Sequence, residues 1–406
     1  MNHPAVSVII CTYNRAQYLP QSLESVLGQT LAPAQVIVVD DGSTDETCRV
    51  LDPFRQKIKY VKTENRGKAV ALNAAMALVA GDYVWIMDDD DVALSDALSR
   101  HVDMLEHRPE LGWTYSGYII SRSHPDGRID PIKDWPLPEF AEEDMLVRLM
   151  EECFLVHPTI VVRTACYRSL GPFRPELIRG QDYEMAVRLA RQFPCARIAG
   201  PTIYRRYHEG LRGSSADQFD SQQVLAKWQE YLKPTFITLR RELALDEYLP
   251  KSTAKANERP QDLRRAYLQR AVIMGKKALF DFMLDDVRSA VSCRGDQPSL
   301  SQPEREMLRR LAAETSGDPL LAAPTVLREL RSVCAGLTGL QIRVELARVL
   351  VWRAAADWLR RHYRQALREL HAALYICGLN GLRAILIGKI GGDPSCAAGS
   401  IANDAP

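Results

Sequence analysis

The sequence predicts an α/β domain in the first half of the chain and an all-α region in the second. In the first half, short apolar runs end abruptly in polar residues, and apolar residues at helical spacing follow them. After about residue 225 the composition shifts toward Leu, Ala, Arg and Glu, with only short breaks. We therefore expect an α/β domain over residues 1–225, a helical domain over 226–391 and a disordered tail over 392–406.

Polar residues follow each of the first two predicted strands. The first strand begins at Val6, and a helix is expected over 19–27. The second, 35–39, delivers Asp41, which could accept hydrogen bonds from a base N–H or a ribose hydroxyl. Three residues at the end of the first strand are expected to pack against the ring of a base: Cys11, Thr12 and Tyr13.

The turn after Asp41 also has a purely structural interpretation. Gly42 permits a tight turn, and Ser43 with Glu46 predicts a capping box at the start of a helix. A capped loop and a nucleotide contact therefore both remain open here.

Residues 64–68 form a basic, glycine-containing turn before a small-residue helix expected over 69–80. The exposed N–H groups and positive end of such a helix suit a phosphate. Lys68 is the candidate for a diphosphate contact. A solvated surface lysine is the alternative interpretation.

Four consecutive carboxylates, Asp88 to Asp91, end the apolar run 83–87. Such a run predicts a buried strand that opens onto a crevice, where ligands bind in open α/β sheets. Asp88 and Asp90 should then project to one side and repel each other unless a cation lies between them. Oxygen ligands of this kind suit Mg²⁺ or Mn²⁺, so we predict a metal site at Asp88 and Asp90. A solvated helix-capping turn is the alternative, although four carboxylates exceed what a cap requires.

Two chemistries use an acidic cluster after a strand. In one, a metal held by the carboxylates neutralises the diphosphate of a nucleotide donor. In the other, Asp88 attacks a phosphate directly, as in aspartate-nucleophile phosphatases. The phosphatase motif normally comes in the first strand, whereas strand-helix units precede Asp88 here.

Together these segments resemble the large family of inverting nucleotide-sugar glycosyltransferases, family 2, with the GT-A fold. The resemblance covers roughly the first half of the chain. It implies a Rossmann-like, mostly parallel central sheet with flanking helices, followed here by the all-α region. Its motifs occur in the family's order: 7–15, 38–45, 65–68 with Asn73, and 88–91.

Two later segments extend the resemblance. Residues 180–189 look like the family's acceptor-site helix, which makes Asp182 the catalytic base by resemblance. The family usually has Glu before this Asp, whereas this chain has Gln181. A helix-start Asp that interacts with the helix dipole is the structural alternative. Residues 204–208 look like the segment that closes over the donor phosphates, with His208 near the diphosphate or the metal. Further residues that the resemblance places at the donor are Cys11, Thr12, Tyr13, Asp41, Lys68, Asp88 and Asp89.

The resemblance implies transfer of one sugar from a nucleotide-sugar, with UDP the first choice and dTDP and GDP open, to a hydroxyl of a glycan or lipid-linked glycan. Processive members carry a Gln-x-x-Arg-Trp motif, and this chain has no Arg-Trp pair. An aspartate-nucleophile phosphatase and a noncatalytic nucleotide-sugar or glycan-binding module remain alternatives. The binding module would keep the donor pocket but lack Asp182 or Asp90, and both are present.

Composition narrows the partners and the location. A net charge of +1 in 406 residues argues against a dedicated nucleic-acid binder. Nine scattered cysteines without Cys-x-x-Cys pairs suit the reducing cytoplasm. We expect no secretory signal, because the chain enters a strand by Val6 with neither a basic region nor a long apolar stretch before it. We expect no transmembrane helix, because no apolar run reaches about 20 residues.

A long amphipathic pattern in the helical half leaves two interpretations open, bundle packing and peripheral contact with anionic lipid. The later apolar segment, 374–390, carries charges and is not expected to span a membrane. The pattern places these apolar residues on one face: Val351, Ala355, Trp358, Leu359, Ala366, Leu370 and Ala373. It places these arginines on the other: Arg353, Arg360, Arg364 and Arg368.

Overall fold

The computed structural model describes residues 4–124, 127–207, 224–253, 260–293, 299–311 and 323–387. The chain divides into two compact units at Gln222. The predicted position of His208 and the predicted tail, 392–406, lie outside the described residues.

The first unit contains one sheet. The described residues form these strands: β1 Val6–Thr12, β2 Gln35–Asp40, β3 Lys59–Lys62, β4 Tyr83–Asp88, β5 Val92–Ala93, β6 Trp113–Ser123, β7 Ile129–Asp134, β8 Ile160–Arg163 and β9 Cys195–Arg206. Their order in the sheet is β3-β2-β1-β4-β8-β6-β9-β5, and β7 pairs with β6. Strands β1 to β4 are parallel, and beyond β4 the sheet is mixed.

Helices follow β1, β2 and β3 because apolar residues at helical spacing come after each strand, and the central strands β1, β2 and β4 are near-continuous apolar runs buried on both faces. The core lies between the sheet and the helices, where Trp85, Trp113 and Leu23 are fully buried. The predicted α/β fold is confirmed. The helices of this unit are α1 Leu19–Leu27, α2 Thr47–Val50, α3 Lys68–Met76, α4 Ala97–His107, α5 Met145–Glu151, α6 Thr164–Leu170 and α7 Gln181–Gln192.

The described part of the second unit is helical, as the composition predicts. Buried carboxylates hold its helices together: Glu304 binds Arg264 at 2.7 Å, and Asp286 binds both Arg240 and Arg270. No helix within the described ranges combines the length and apolarity needed to cross a bilayer. The α-helices are α8 Val224–Glu242, α9 Pro260–Lys276, α10 Phe280–Ser292, α11 Gln302–Leu311, α12 Pro324–Val333, α13 Gly336–Leu359 and α14 Tyr363–Ile387.

The predicted amphipathic face of the C-terminal segment is wrong. The pattern is divided between two helices, α13 and α14, which a turn at Arg361 (φ 66°) separates. Ala366 and Ala373 are buried, whereas Trp358 is exposed. Arg353, predicted for the polar face, is buried and bonded to a buried glutamate of α14. A single helical period cannot distinguish one long helix from a hairpin with the same spacing.

Candidate functional site

Parallel register brings the polar strand ends to one edge of the sheet. Thr12 pairs with Asp40 across β1 and β2, and Cys11 pairs with Asp88 across β1 and β4. Asp88 is therefore one strand away from the predicted base-binding segment, as ligand sites at the carboxyl ends of parallel strands require. Cys11 is buried, and burial raises the pKa of its thiol to about 12, so it remains neutral.

The turns after β1 and β2 bind each other. Asn14, in the left-handed region at φ 52°, donates its N–H to the Ser43 hydroxyl at 2.9 Å. The predicted capping box of Ser43 and Glu46 is wrong, because the Ser43 N–H bonds to Asp40 at 2.7 Å and the helix begins only at Thr47. The sequence could not show that the Ser43 hydroxyl is used by the neighbouring turn.

Asp41 fixes the basic turn in place. Its two carboxylate oxygens accept the backbone N–H groups of Arg66 and Gly67, both at 2.9 Å. Both N–H groups are therefore hydrogen-bonded within the protein in this structure. A Cβ at Gly42 would lie 2.7 Å from the backbone nitrogen of Asn65, so the close approach of the two turns requires glycine. The paired turns set the position of Lys68, the first residue of α3.

Lys68 interacts with two of the predicted functional carboxylates. Its ammonium forms an ion pair with Asp88, and the charge of Asp182 also acts on it. Burial favours the neutral amine, but the two carboxylates outweigh it and raise the pKa of Lys68 above its ordinary value. The lysine is therefore charged at neutral pH. The ion pair thus joins Lys68 to Asp88, although they are 20 residues apart in sequence, and the charge of Asp182 reaches the same lysine.

Asp88, Asp90 and Asp91 form the acid cluster, with one oxygen from each lying within 4.8 Å of the others. The sequence prediction included Asp88 and Asp90 but not Asp91. Burial, with Asp90 as the next cause, raises the pKa of Asp89 to about 7 and that of Asp91 well above its usual range. Mutual repulsion of this kind is relieved by a cation. Three carboxylate oxygens in reach of one another fit Mg²⁺ or Mn²⁺, which prefer oxygen ligands.

Two arginines that sequence reasoning did not single out accompany the acid cluster. Arg15 approaches Asp90 at 3.8 Å. Arg206, at the end of β9, donates its side-chain Nε–H to the Asp90 carbonyl at 2.6 Å and its backbone N–H to Asp91 at 3.0 Å. The segment predicted to close over the phosphates, residues 204–208, is thus hydrogen-bonded to the acid cluster through Arg206. Arg15 lies in the segment 7–15 and Arg206 in the segment 204–208, which carry the family resemblance, but only the fold shows which residue each arginine contacts.

Asp182 is the second residue of α7, which follows Gly180 in the left-handed conformation at φ 77°. Its carboxylate accepts the N–H of Tyr183 at 2.8 Å and lies in the first turn of the helix, so the structural interpretation, an interaction with the helix dipole, also holds. Asn73 on α3 makes two bonds of 2.8 Å with the backbone of Phe173. This clamp joins the helix of Lys68 to the loop that leads into α7.

A crevice beside Asp182 is also lined by His157, Ile160 and Tyr183. His157 is buried, and burial together with the Lys68 charge lowers its pKa to about 4, which keeps the ring neutral. Neither ring nitrogen has a hydrogen-bond partner within the described ranges. The same is true of the side-chain amide oxygen (Oε1) of the buried Gln181. His157 belongs to a 3₁₀ turn, residues 157–159, directly before β8.

Comparison with known proteins identifies the family, and the family model matches within the unit that contains the site. The model of Glycosyl transferase family 2 matches residues 7–164. An uncharacterized glycosyltransferase of Rickettsia prowazekii is 30% identical over 240 residues, covering 57% of this chain and 72% of the relative. Another, from Methanocaldococcus jannaschii, is 29% identical over 195 residues, covering 46% of this chain and 65% of the relative. The solved mannosyltransferase PcManGT from Pyrobaculum calidifontis, in complex with GDP-Man and Mn²⁺, is 18% identical with a TM-score of 0.47, covering 94% of this chain and 88% of that one.

The alignment thus spans a little under two thirds of the Methanocaldococcus relative. The family model spans the parallel strands, the basic turn and the acid cluster, which are the segments that carry the sequence resemblance. The resemblance is thereby confirmed, and the chain belongs to glycosyl transferase family 2.

Proposed function

We propose that this protein transfers a single sugar from a nucleotide-sugar, with a UDP-sugar the first choice, to an acceptor hydroxyl of a glycan or lipid-linked glycan. The transfer is a metal-dependent displacement that inverts the anomeric centre. The observation that carries the proposal is the ion pair between Lys68 and Asp88, with the charge of Asp182 acting on the same lysine. Asp88 belongs to the acid cluster, and Asp182 lies in the first turn of α7, the proposed acceptor-site helix.

Binding of the donor uses the strand ends. The base packs against Cys11, Thr12 and Tyr13 at the end of β1, and Asp41 holds the adjacent turn. The diphosphate lies near Lys68 and Arg15, whose positive charges complement it. Asp88 and Asp90 would hold the divalent cation, and Asp91 offers a third carboxylate oxygen in the same cluster. Asp89 lies next to them in the chain. A bound Mg²⁺ or Mn²⁺ supplies charge neutralisation of the leaving diphosphate.

Asp182 acts on the acceptor. Its carboxylate takes the proton of the acceptor hydroxyl as that oxygen forms a bond to the anomeric carbon. The bond between the anomeric carbon and the diphosphate oxygen breaks on the opposite face, and the diphosphate leaves with the electron pair. One displacement inverts the centre. The protein forms no covalent intermediate, so the rate enhancement comes from positioning of the reactants and from stabilisation of the charge that develops in the transition state.

The family assignment and the engagement of Asp88 by the Lys68 ammonium both favour transfer over the phosphatase alternative. An ion-paired carboxylate is a weaker nucleophile than a free one. The presence of Asp182 and Asp90 favours an enzyme over a noncatalytic binding module.

The proposal is tested by incubating the protein with UDP-, dTDP- and GDP-sugars, and separately with simple phosphate esters, in Mn²⁺, Mg²⁺ or EDTA. We expect slow, metal-dependent release of sugar from one class of donor and no hydrolysis of the esters. Hydrolysis of the esters without cleavage of any nucleotide-sugar would contradict the proposed transfer activity and support the phosphatase alternative.

For the location, we infer a reducing compartment, the cytoplasm. All eight cysteines in the described part of the chain are free, and several are buried in strands and helices. An oxidising compartment would expose such thiols to pairing.

A further inference from the structure

The turn between α13 and α14 exposes an unusual combination of residues. Helix α13 ends at Leu359 and α14 begins at Tyr363, so the two helices form a hairpin. A buried ion pair between Arg353 and Glu369 and the buried Ala366 join the helices just below the turn. We call residues 358–371 the hairpin tip. Its backbone is therefore held by a packed helix pair.

Large apolar side chains are exposed at the hairpin tip. Trp358 is 52% exposed and Leu359 is 84% exposed. Trp358 also contacts Tyr363 edge to face, with ring centroids 4.9 Å apart. Single exposed apolar residues are normal, but a cluster of this size marks an interaction surface. Along α14, exposed apolar residues recur at the spacing of one helix face: Tyr363, Leu367 and Leu370.

The charge of the hairpin tip has one sign. Arg360, Arg361, Arg364 and Arg368 are all exposed. The single acid in the segment, Glu369, is buried and bonded to Arg353, so it does not offset the exposed positive charge. The nearest acid before the segment, Asp357, is mostly buried and lies 3.6 Å from His362. The exposed surface therefore carries four arginines around an aromatic and leucine centre.

We propose that the hairpin tip docks on a membrane surface that contains anionic lipid. Trp and Tyr prefer the headgroup level of a bilayer, leucines enter the acyl boundary, and arginines pair with phosphate headgroups. A second copy of this chain fits less well, because a symmetric contact would bring eight arginines together. The cores of protein interfaces are also depleted in charged residues. The proposal rests on the second unit alone and does not depend on the transfer activity.

Vesicle flotation of the full-length protein tests the proposal. We expect flotation with vesicles of phosphatidylcholine mixed with phosphatidylglycerol, weaker flotation in high salt, and none with phosphatidylcholine alone. The double change Arg360→Gln with Arg364→Gln should weaken binding roughly tenfold or more. The double change Trp358→Ser with Leu359→Ser should also weaken it. These side chains are exposed, so the fold should be retained.

Matched controls lie elsewhere in the same unit. Leu263 and Arg288 are exposed on α9 and α10, and Leu263→Ser with Arg288→Gln should bind vesicles like wild type. All variants should release sugar from the donor at the wild-type rate in the absence of vesicles. The proposal is overturned if wild type does not float with the mixed vesicles, or if the tip variants float as well as the control. A second copy of the chain would be the occupant instead if wild type bound no vesicles and formed a dimer in sedimentation that the tip variants did not form.

Discussion

Replacing Asp182 with asparagine is expected to abolish sugar transfer and leave donor affinity unchanged. A positioned general base contributes about 10²–10⁴ in rate, so turnover should fall at least about a hundredfold. Asparagine keeps the shape of the side chain and an oxygen for the Tyr183 N–H, which binds the native carboxylate at 2.8 Å. Helix α7 should therefore begin as in wild type. Turnover is measured by release of the nucleoside diphosphate, and donor affinity by calorimetry.

Asp103→Asn is the matched control, because Asp103 is an exposed carboxylate on α4 in the same unit. It should leave turnover and affinity unchanged. Near-wild-type turnover by Asp182→Asn would remove Asp182 from the base role. The residue would then have only the structural role of a helix-start Asp.

Replacing Asp90 with alanine is expected to remove the metal dependence of donor binding. The change deletes one of the three carboxylates whose oxygens lie within 4.8 Å of one another. The loss in donor affinity should be at least the roughly 10- to 100-fold that changes around a metal's ligands cost. Calorimetry with Mn²⁺ and then with EDTA measures it. Wild-type affinity should fall in EDTA, and the affinity of the variant should be low in both.

Asp103→Ala, measured in the same way, should behave like wild type. Equal affinity of Asp90→Ala and wild type in Mn²⁺ would contradict the assignment of Asp90 as a metal ligand. The salt contact of Arg15 with Asp90, at 3.8 Å, is lost in the same variant. Arg15→Gln separates the two effects, because it should keep the dependence on Mn²⁺.

The sequence predicted the features that depend on strand ends. Once β1, β2 and β4 are parallel neighbours, their polar ends must meet, so Cys11, Asp41 and Asp88 reach one edge of the sheet. The order of motifs along the chain was sufficient for this prediction. The α/β fold and the helical second half were predictable for the same reason, since local periodicity and composition encode them.

Contacts between distant segments were not predictable. Asn73 binds the backbone of Phe173, and Arg206 binds Asp91, but nothing near either residue in the sequence identifies its partner. The carboxylate of Asp41 was predicted to face a ligand, and in this structure it accepts two N–H groups of the adjacent turn. A carboxylate at a strand end can accept hydrogen bonds from a ligand or from the backbone of a neighbouring turn, so residue type alone could not decide between the two.

The hairpin shows the same limit for helices. Residues 360–362 contain neither glycine nor proline, so no break is evident in the helical period. Prediction therefore placed Arg353 with the exposed arginines, whereas the turn buries it against Glu369. The exposed arginines and apolar residues come together at the turn and do not lie on opposite faces of one helix.

The anomeric configuration of the first sugar released from the preferred nucleotide-sugar tests the proposed function most directly. Proton NMR at early times, with water as the acceptor, measures it without knowledge of the natural acceptor. Inversion relative to the donor is the predicted result, because Asp182 activates the attacking oxygen on the face opposite the diphosphate. Retention of configuration would contradict the single displacement and the role of Asp182 in it.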